Sequence, residues 1–187
     1  MANICDMRVV FYIDENNMEQ VKGLKKLHTT LSDMVNSDNT PFSFILPEEK
    51  YSCGDFCYVE DLEGDRFVVA AETAWSPTYD FFDKLSEKYG VRYASSSSES
   101  GFDIFEIYGD KEGSIFSHNF SVDIWGEDSD EDAPSIPEGY EFFTTEQELI
   151  DWLEKNYGNL YSSDSVYEWN KFFNKYGAGR IACWERI

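Results

Sequence analysis

Hydrophobic and polar residues change rhythm several times along this chain, and each change marks an element. The most regular run is 67–93, FVVAAETAWSPTYDFFDKLSEKYGVRY. Residues 67–71 are apolar and β-prone, which predicts a strand. Ser76 offers an N-cap side chain and Pro77 suits the first helical position, so a helix is predicted to start there. Phe81, Phe82, Leu85 and Tyr89 recur at three- and four-residue spacing on one face, and Gly90 can close the helix in a left-handed conformation. Residues 91–93 open another strand, and this strand–helix–strand series predicts a domain that mixes helices with a sheet.

The same reading extends along the chain. Residues 5–13, CDMRVVFYI, alternate and then run apolar, as a strand inside a sheet does. Asp14 to Asn17 form a turn and cap cluster, after which Met18, Val21, Leu24, Leu27, Leu31 and Met34 keep helical spacing to about Asn36. Lys22, Lys25 and Lys26 fall on the polar side of that helix, as in a solvated face. Residues 42–46 fit a short strand or an extended loop. Residues 55–60 and 66–71 flank DLEGD, a hairpin turn with Gly64 supplying a positive φ. The serine tract 95–100 reads as a hairpin loop, and residues 102–108 and 114–125 complete the sheet.

Residues 126–139, GEDSDEDAPSIPEG, are the most polar stretch and read as an exposed loop. Thr144 and Thr145 can then cap a helix bearing Leu149, Ile150, Trp152, Leu153 and Tyr157, with Gln147 or Glu148 closing a capping box. Ser163-Asp164 is predicted to cap another, bearing Val166, Trp169, Phe172, Phe173 and Tyr176, and residues 180–187 read as a last strand. The whole is an α+β chain: an α/β domain over 1–126, an acidic Pro-containing loop over 127–139, and a helical extension over 140–187 that ends in a strand and packs on the same domain.

Composition alters this picture mainly through charge. Fifteen Phe, twelve Tyr and five Trp in 187 residues supply an aromatic core, which a disordered acidic chain lacks. On that body sit 37 acidic against 15 basic residues, a net charge of −22 and a pI near 4.2. Free nucleic acid and anionic membrane would both be repelled. Cys5, Cys53, Cys57 and Cys183 keep no metal-binding or redox spacing and read as idle thiols. The opening residues lack the basic region and apolar core of a secretion signal, so a reducing cytosol is the expected compartment.

Motifs for chemistry are missing. There is neither GxxxxGK[ST] nor GxGxxG, and His28 and His118 read as packed or surface side chains. Asp128, Asp130 and Asp132 alternate like calcium ligands, yet Ala133 stands where such a loop needs Gly and Gly139 where it needs a bidentate Glu. No cofactor, metal or catalytic set is therefore expected. Trp75 and Trp125 read as core, because base-stacking aromatics sit in basic grooves. What the sequence does concentrate is carboxylates: Glu127, Asp128, Asp130, Glu131 and Asp132 in the polar loop, and Glu60, Asp61, Glu63 and Asp65 at the hairpin.

The opening Met1-Ala2-Asn3-Ile4-Cys5, the segments TAWSP at 73–77 and LSEKY at 85–89, and the acidic, aromatic strand pair after Ser100 together resemble a known family. It is the ferredoxin-like domain family of the YubB type, found in bacteriophages and on plasmids, in which a Trp more often stands where Ile4 is here. The resemblance covers about the first two-thirds of the chain. It implies a ferredoxin-like mixed or antiparallel sheet with helices on one face, and an origin in a mobile element. Acidic proteins of that origin often inhibit host defence. The expected partner is then the basic surface of a host nucleic-acid-binding protein, such as a CRISPR effector or restriction enzyme, with both carboxylate clusters as the partner-binding residues. The alternative is an interaction adaptor whose acidity confers solubility; neither is an enzyme.

Overall fold

The computed structural model describes residues 3–38, 40–47, 53–99, 101, 103–126 and 134–187. It is an α+β structure with four α-helices among these residues, divided into two compact units: 1–115 with 186–187, and 116–185.

In the first unit the strands are β1 (Ile4–Tyr12), β2 (Gly54–Val59), β3 (Arg66–Ala74), β4 (Arg92–Glu99) and β5 (Ile104–Tyr108), its sheet also takes in the short β9 (Glu185–Arg186), of which Arg186 belongs to this unit, and the helices are α1 (Met18–Asn36) and α2 (Tyr79–Tyr89). The strand order is β2-β3-β1-β4-β5-β9. The pairs β1–β3, β1–β4, β2–β3 and β4–β5 are antiparallel. Alternation along β1 buries Cys5, Met7, Val9 and Phe11 and leaves Asp6 and Arg8 exposed. The buried set packs with Leu24, Leu27 and Leu31 of α1 and Phe81, Phe82 and Leu85 of α2, placing both helices on one face.

Local signals set the helix ends with one exception. Asn17 caps α1, its side chain accepting from the backbone N–H of Glu19 and Gln20. Gly90, at φ 65°, ends α2 as expected. The start of α2 differs from the expectation at Ser76-Pro77: the helix begins at Tyr79, and its N-cap, Thr78, makes no side-chain cap bond. Ser76 is instead held in a turn. Its carbonyl accepts from Thr73 Oγ1 at 2.7 Å, and Trp75 beside it takes a positive φ of 73°.

Three further expectations are corrected. Residues 95–99 of the serine tract are not a loop but part of β4, with Ser95 and Ser97 fully buried. These small side chains leave room for the rings of Tyr79, Tyr93 and Tyr108, where Tyr79 stacks on Tyr108 at 4.4 Å. Residues 42–44 form a 3-10 turn that drops Phe42 into the core against Phe81, ring centroids 4.2 Å apart. The third concerns the strand expected within 114–125. It forms as β6 (Phe120–Ile124), which pairs with β7 (Gly139–Phe143) and β8 (Gly179–Cys183) in a separate three-stranded antiparallel sheet of order β7-β6-β8.

That sheet is the frame of the second unit, which adds α3 (Glu146–Tyr157) and α4 (Val166–Lys175). The capping box of α3 forms as read, between Thr145 and Glu148. Ser165, rather than Ser163-Asp164, caps α4; the Ser163 carbonyl is taken by Trp169 Nε1 at 2.8 Å. Val122, Ile124, Phe143, Leu153, Trp169 and Phe173 make the core. Strand β7 was not foreseen. Residues 180–187 form two strands in two sheets rather than one, because Cys183 ends β8 and Ile187 then exchanges backbone bonds with Ile107 and Gly109.

Candidate functional site

The face of the first sheet opposite the helices carries charge in an ordered way. Asp6 of β1 stands directly across from Glu72 of β3, and Glu72 directly across from Asp55 of β2. Paired residues in an antiparallel ladder share a face, and neighbouring strands lie about 4.8 Å apart. Three exposed carboxylates therefore form a row about 10 Å long across three strands. The Asp6 carboxyl is pushed above its ordinary range, first by partial loss of water and then by Glu72. Cys57, at the β2 irregularity beside the row, is pushed up by loss of water and then by Glu72. A depression of about 390 Å³ is lined by Asp55 and Glu72 together with Asn3, Ile4, Cys53 and Ala74.

The hairpin carboxylates lie at the far end of β2 and β3. Gly64 at φ 58° makes the turn, closed by backbone bonds between Glu63 and Arg66. Two of the four acids are engaged. Glu60 lies 3.8 Å from Arg8 Nη2, and its carbonyl meets His28 Nε2 at 3.1 Å. Asp65 is gripped by both Nε and Nη2 of Arg66, at 2.9 and 3.2 Å, which holds its carboxyl below the usual range. Asp61 and Glu63 stand exposed. The other predicted cluster, Glu127, Asp128, Asp130, Glu131 and Asp132, lies outside the described residues, as does the calcium-like spacing within it.

Sequence reasoning missed the Asp6–Glu72–Asp55 row. Its only signal is that Asp6 falls on the polar phase of the β1 alternation; which acids face it depends on pairing between strands distant in sequence.

The second unit turns a different surface outward. In register on the face away from α3 and α4 are Ser121 and Asp123 of β6, Tyr140 and Phe142 of β7, and Arg180 and Ala182 of β8. Tyr140 is 65% exposed and Phe142 39%. Trp125, expected in the core, is 51% exposed, and so is Trp75 of the first unit at 50%. Trp125 Nε1 donates to the Gly177 carbonyl at 2.7 Å, and its ring lies 6.0 Å from the Arg180 guanidinium.

Burial pushes the Cys5 thiol to about 11, and Cys183 is also raised, so these sulfurs stay protonated and weakly nucleophilic. Tyr79 and Tyr93 are raised first by burial and then by bonds donated to Glu106 and Asp83, at 2.6 and 2.9 Å, so both remain neutral donors. Among the described residues no group of His, Cys, Asp and Glu is arranged to hold a metal, and no helix is long and apolar enough to cross a membrane. No protein-family model matches this chain, and neither does any curated protein.

Proposed function

We propose that this is a non-enzymatic acidic protein of a mobile element that binds the basic groove of a nucleic-acid-binding defence protein, such as a CRISPR effector or restriction enzyme. Nucleic acid is thereby excluded from the groove. The observation that carries this reading is the Asp6–Glu72–Asp55 row. Like charges directly opposite one another destabilise a sheet, whereas solubility needs only dispersed charge. A row kept at that cost suits a cationic partner, whose Lys and Arg side chains relieve the repulsion. Exposed Asp61 and Glu63, at the turn that joins β2 to β3, and the sequence cluster Glu127, Asp128, Asp130, Glu131 and Asp132 are the further carboxylates this reading offers to the partner. The order β2-β3-β1-β4, with both helices on one face, supports a ferredoxin-like arrangement for the first unit and, with it, the YubB-type resemblance.

The test is inhibition of DNA cleavage by purified CRISPR and restriction nucleases, comparing the native chain with a variant carrying Asp6→Asn, Asp55→Asn and Glu72→Gln. Inhibition by the native chain should fall at least roughly tenfold between 50 and 200 mM salt, and the variant should lose a similar factor. A native chain that leaves every such nuclease unaffected at low salt overturns the proposal, as does a variant of undiminished potency. The exposed rings of the second unit favour one other reading, an adaptor held by apolar contacts. An adaptor would keep its partner when the row is neutralised.

A further inference from the structure

The outward rings of the second unit form a connected surface. Tyr140 and Phe142 meet at 5.2 Å, Phe142 lies 4.5 Å from His118, and His118 lies 4.8 Å from Trp184, whose Nε1 donates to Ser121 Oγ at 3.0 Å. On the same face the Arg180 guanidinium lies over Trp125 and reaches Asp123 Oδ2 at 3.4 Å. The face thus already holds one arginine between an indole and a carboxylate.

Its electrostatic surroundings point the same way. The unit contains four basic residues, of which Lys155, Lys171 and Lys175 lie on the helices and Arg180 alone on this face. Exposed Glu138 precedes β7 on the same alternation as Tyr140 and Phe142, and exposed Glu185 follows β8, whereas Glu141 sits across from the buried Val122 and belongs to the opposite face. Aromatic faces bordered by carboxylates attract cations, and a planar, weakly hydrated guanidinium stacks on rings better than an ammonium does. Exposed apolar patches rimmed by polar groups are also where proteins meet partners.

We infer that the outer face of the second sheet docks an arginine-bearing segment of the basic partner, its guanidinium groups stacking on Tyr140, Phe142 and Trp125 and its charge meeting the acidic margin. This rests on the reading of the partner as basic, and it gives the second unit the task of discriminating arginine from lysine.

The experiment measures binding of a short fluorescent peptide of alternating Arg and Gly, and of its Lys counterpart, to the full chain by anisotropy at low salt. Backbone amide shifts of the native chain are mapped in parallel. The Arg peptide should bind roughly three- to tenfold tighter than the Lys peptide. It should shift amides in 120–125, 139–143 and 179–184, and weaken roughly tenfold when Trp125, Tyr140 and Phe142 are all changed to Ser. Shift mapping needs no variant, so a misfolded triple change leaves the test intact. Shifts confined to β1, β2 and β3, with binding lost only on neutralising Asp6, Asp55 and Glu72, overturn this inference and leave the acidic-inhibitor reading standing. Equal affinity for the two peptides also overturns it. Binding of neither peptide overturns both.

Discussion

Both units lay helices against one face of a sheet and turn the other outward, but they fill the outward positions differently. Across β2, β3 and β1 the outward row is Asp55, Glu72 and Asp6; across β7 and β6 the outward residues include Tyr140, Phe142 and Asp123, while Ser121 on the same face is buried under Trp184. The inward positions are alike: Val9, Phe11, Phe67 and Val69 in one unit, Val122, Ile124, Phe143 and Ile181 in the other. Strand alternation lets the inward residues carry the core, which leaves the outward set open to other demands. The first outward set is marked by a row of three carboxylates, with Ile4 and Tyr58 exposed beside it, and the second by the Tyr140–Phe142 pair beside Asp123 and Arg180, which is what argues for two distinct contact surfaces. A shared need for solubility would have made them similar.

The largest effect that bears on this comparison is expected in the core of the second unit. Trp169 is fully buried there, and Trp169→Ala should cost about 3–5 kcal/mol, enough to unfold a marginal unit. Amide signals of 116–185 should collapse while those of the first unit stay dispersed. Loss of both sets together would mean that the two units fold as one.

A smaller and complementary change acts on the first unit. Gly23 lies where α1 meets α2, and a Cβ there would run into the Tyr89 carbonyl. Gly23→Ala should cost about 1–3 kcal/mol by denaturant titration and leave the second unit's signals in place. An unchanged midpoint would show that the helices part without penalty.

The smallest effect has the opposite sign. Because the Asp6 carboxyl is raised in the folded chain, the native state holds its proton more tightly than the unfolded state does. Below the ordinary value of 3.8 both states are protonated and the penalty is absent; it grows as pH rises through the window above 3.8 and stays at neutral pH. Asp6→Asn should therefore raise the first unit's melting temperature at pH 7, with the gain fading on acidification towards 3.8. A variant less stable than the native chain at pH 7 would show that the row is not under electrostatic strain.

Much of the helical structure was legible. Asn17, Gly90 and the Thr145–Glu148 box act within a few residues of the ends they define, so their chemistry can be read where it is written. The Gly64 hairpin was legible for the same reason. The serine tract misled because four serines look like a flexible loop, whereas neighbours on β1 and β5 make them a strand. Trp75 and Trp125 misled because an acidic surface argues against base-stacking platforms but not against exposure: both rings are about half exposed, Trp75 at a positive φ and Trp125 with its Nε1 bonded to the Gly177 carbonyl. Of the two carboxylate clusters, the hairpin was placed correctly on its turn, but Arg8 and Arg66 already engage two of its four acids.

The sequence by itself determined the α+β class, the helices with most of their caps, the hairpin and the overall acidity, since each depends on composition or on contacts a few residues apart. Tertiary structure alone decided that β6 joins β7 and β8, that the last eight residues serve two sheets, and that Asp6, Glu72 and Asp55 share a row. Those outcomes depend on register between distant strands. Register is chosen by how whole apolar faces fit together, and a shift of one residue would turn every side chain of a strand to the opposite face.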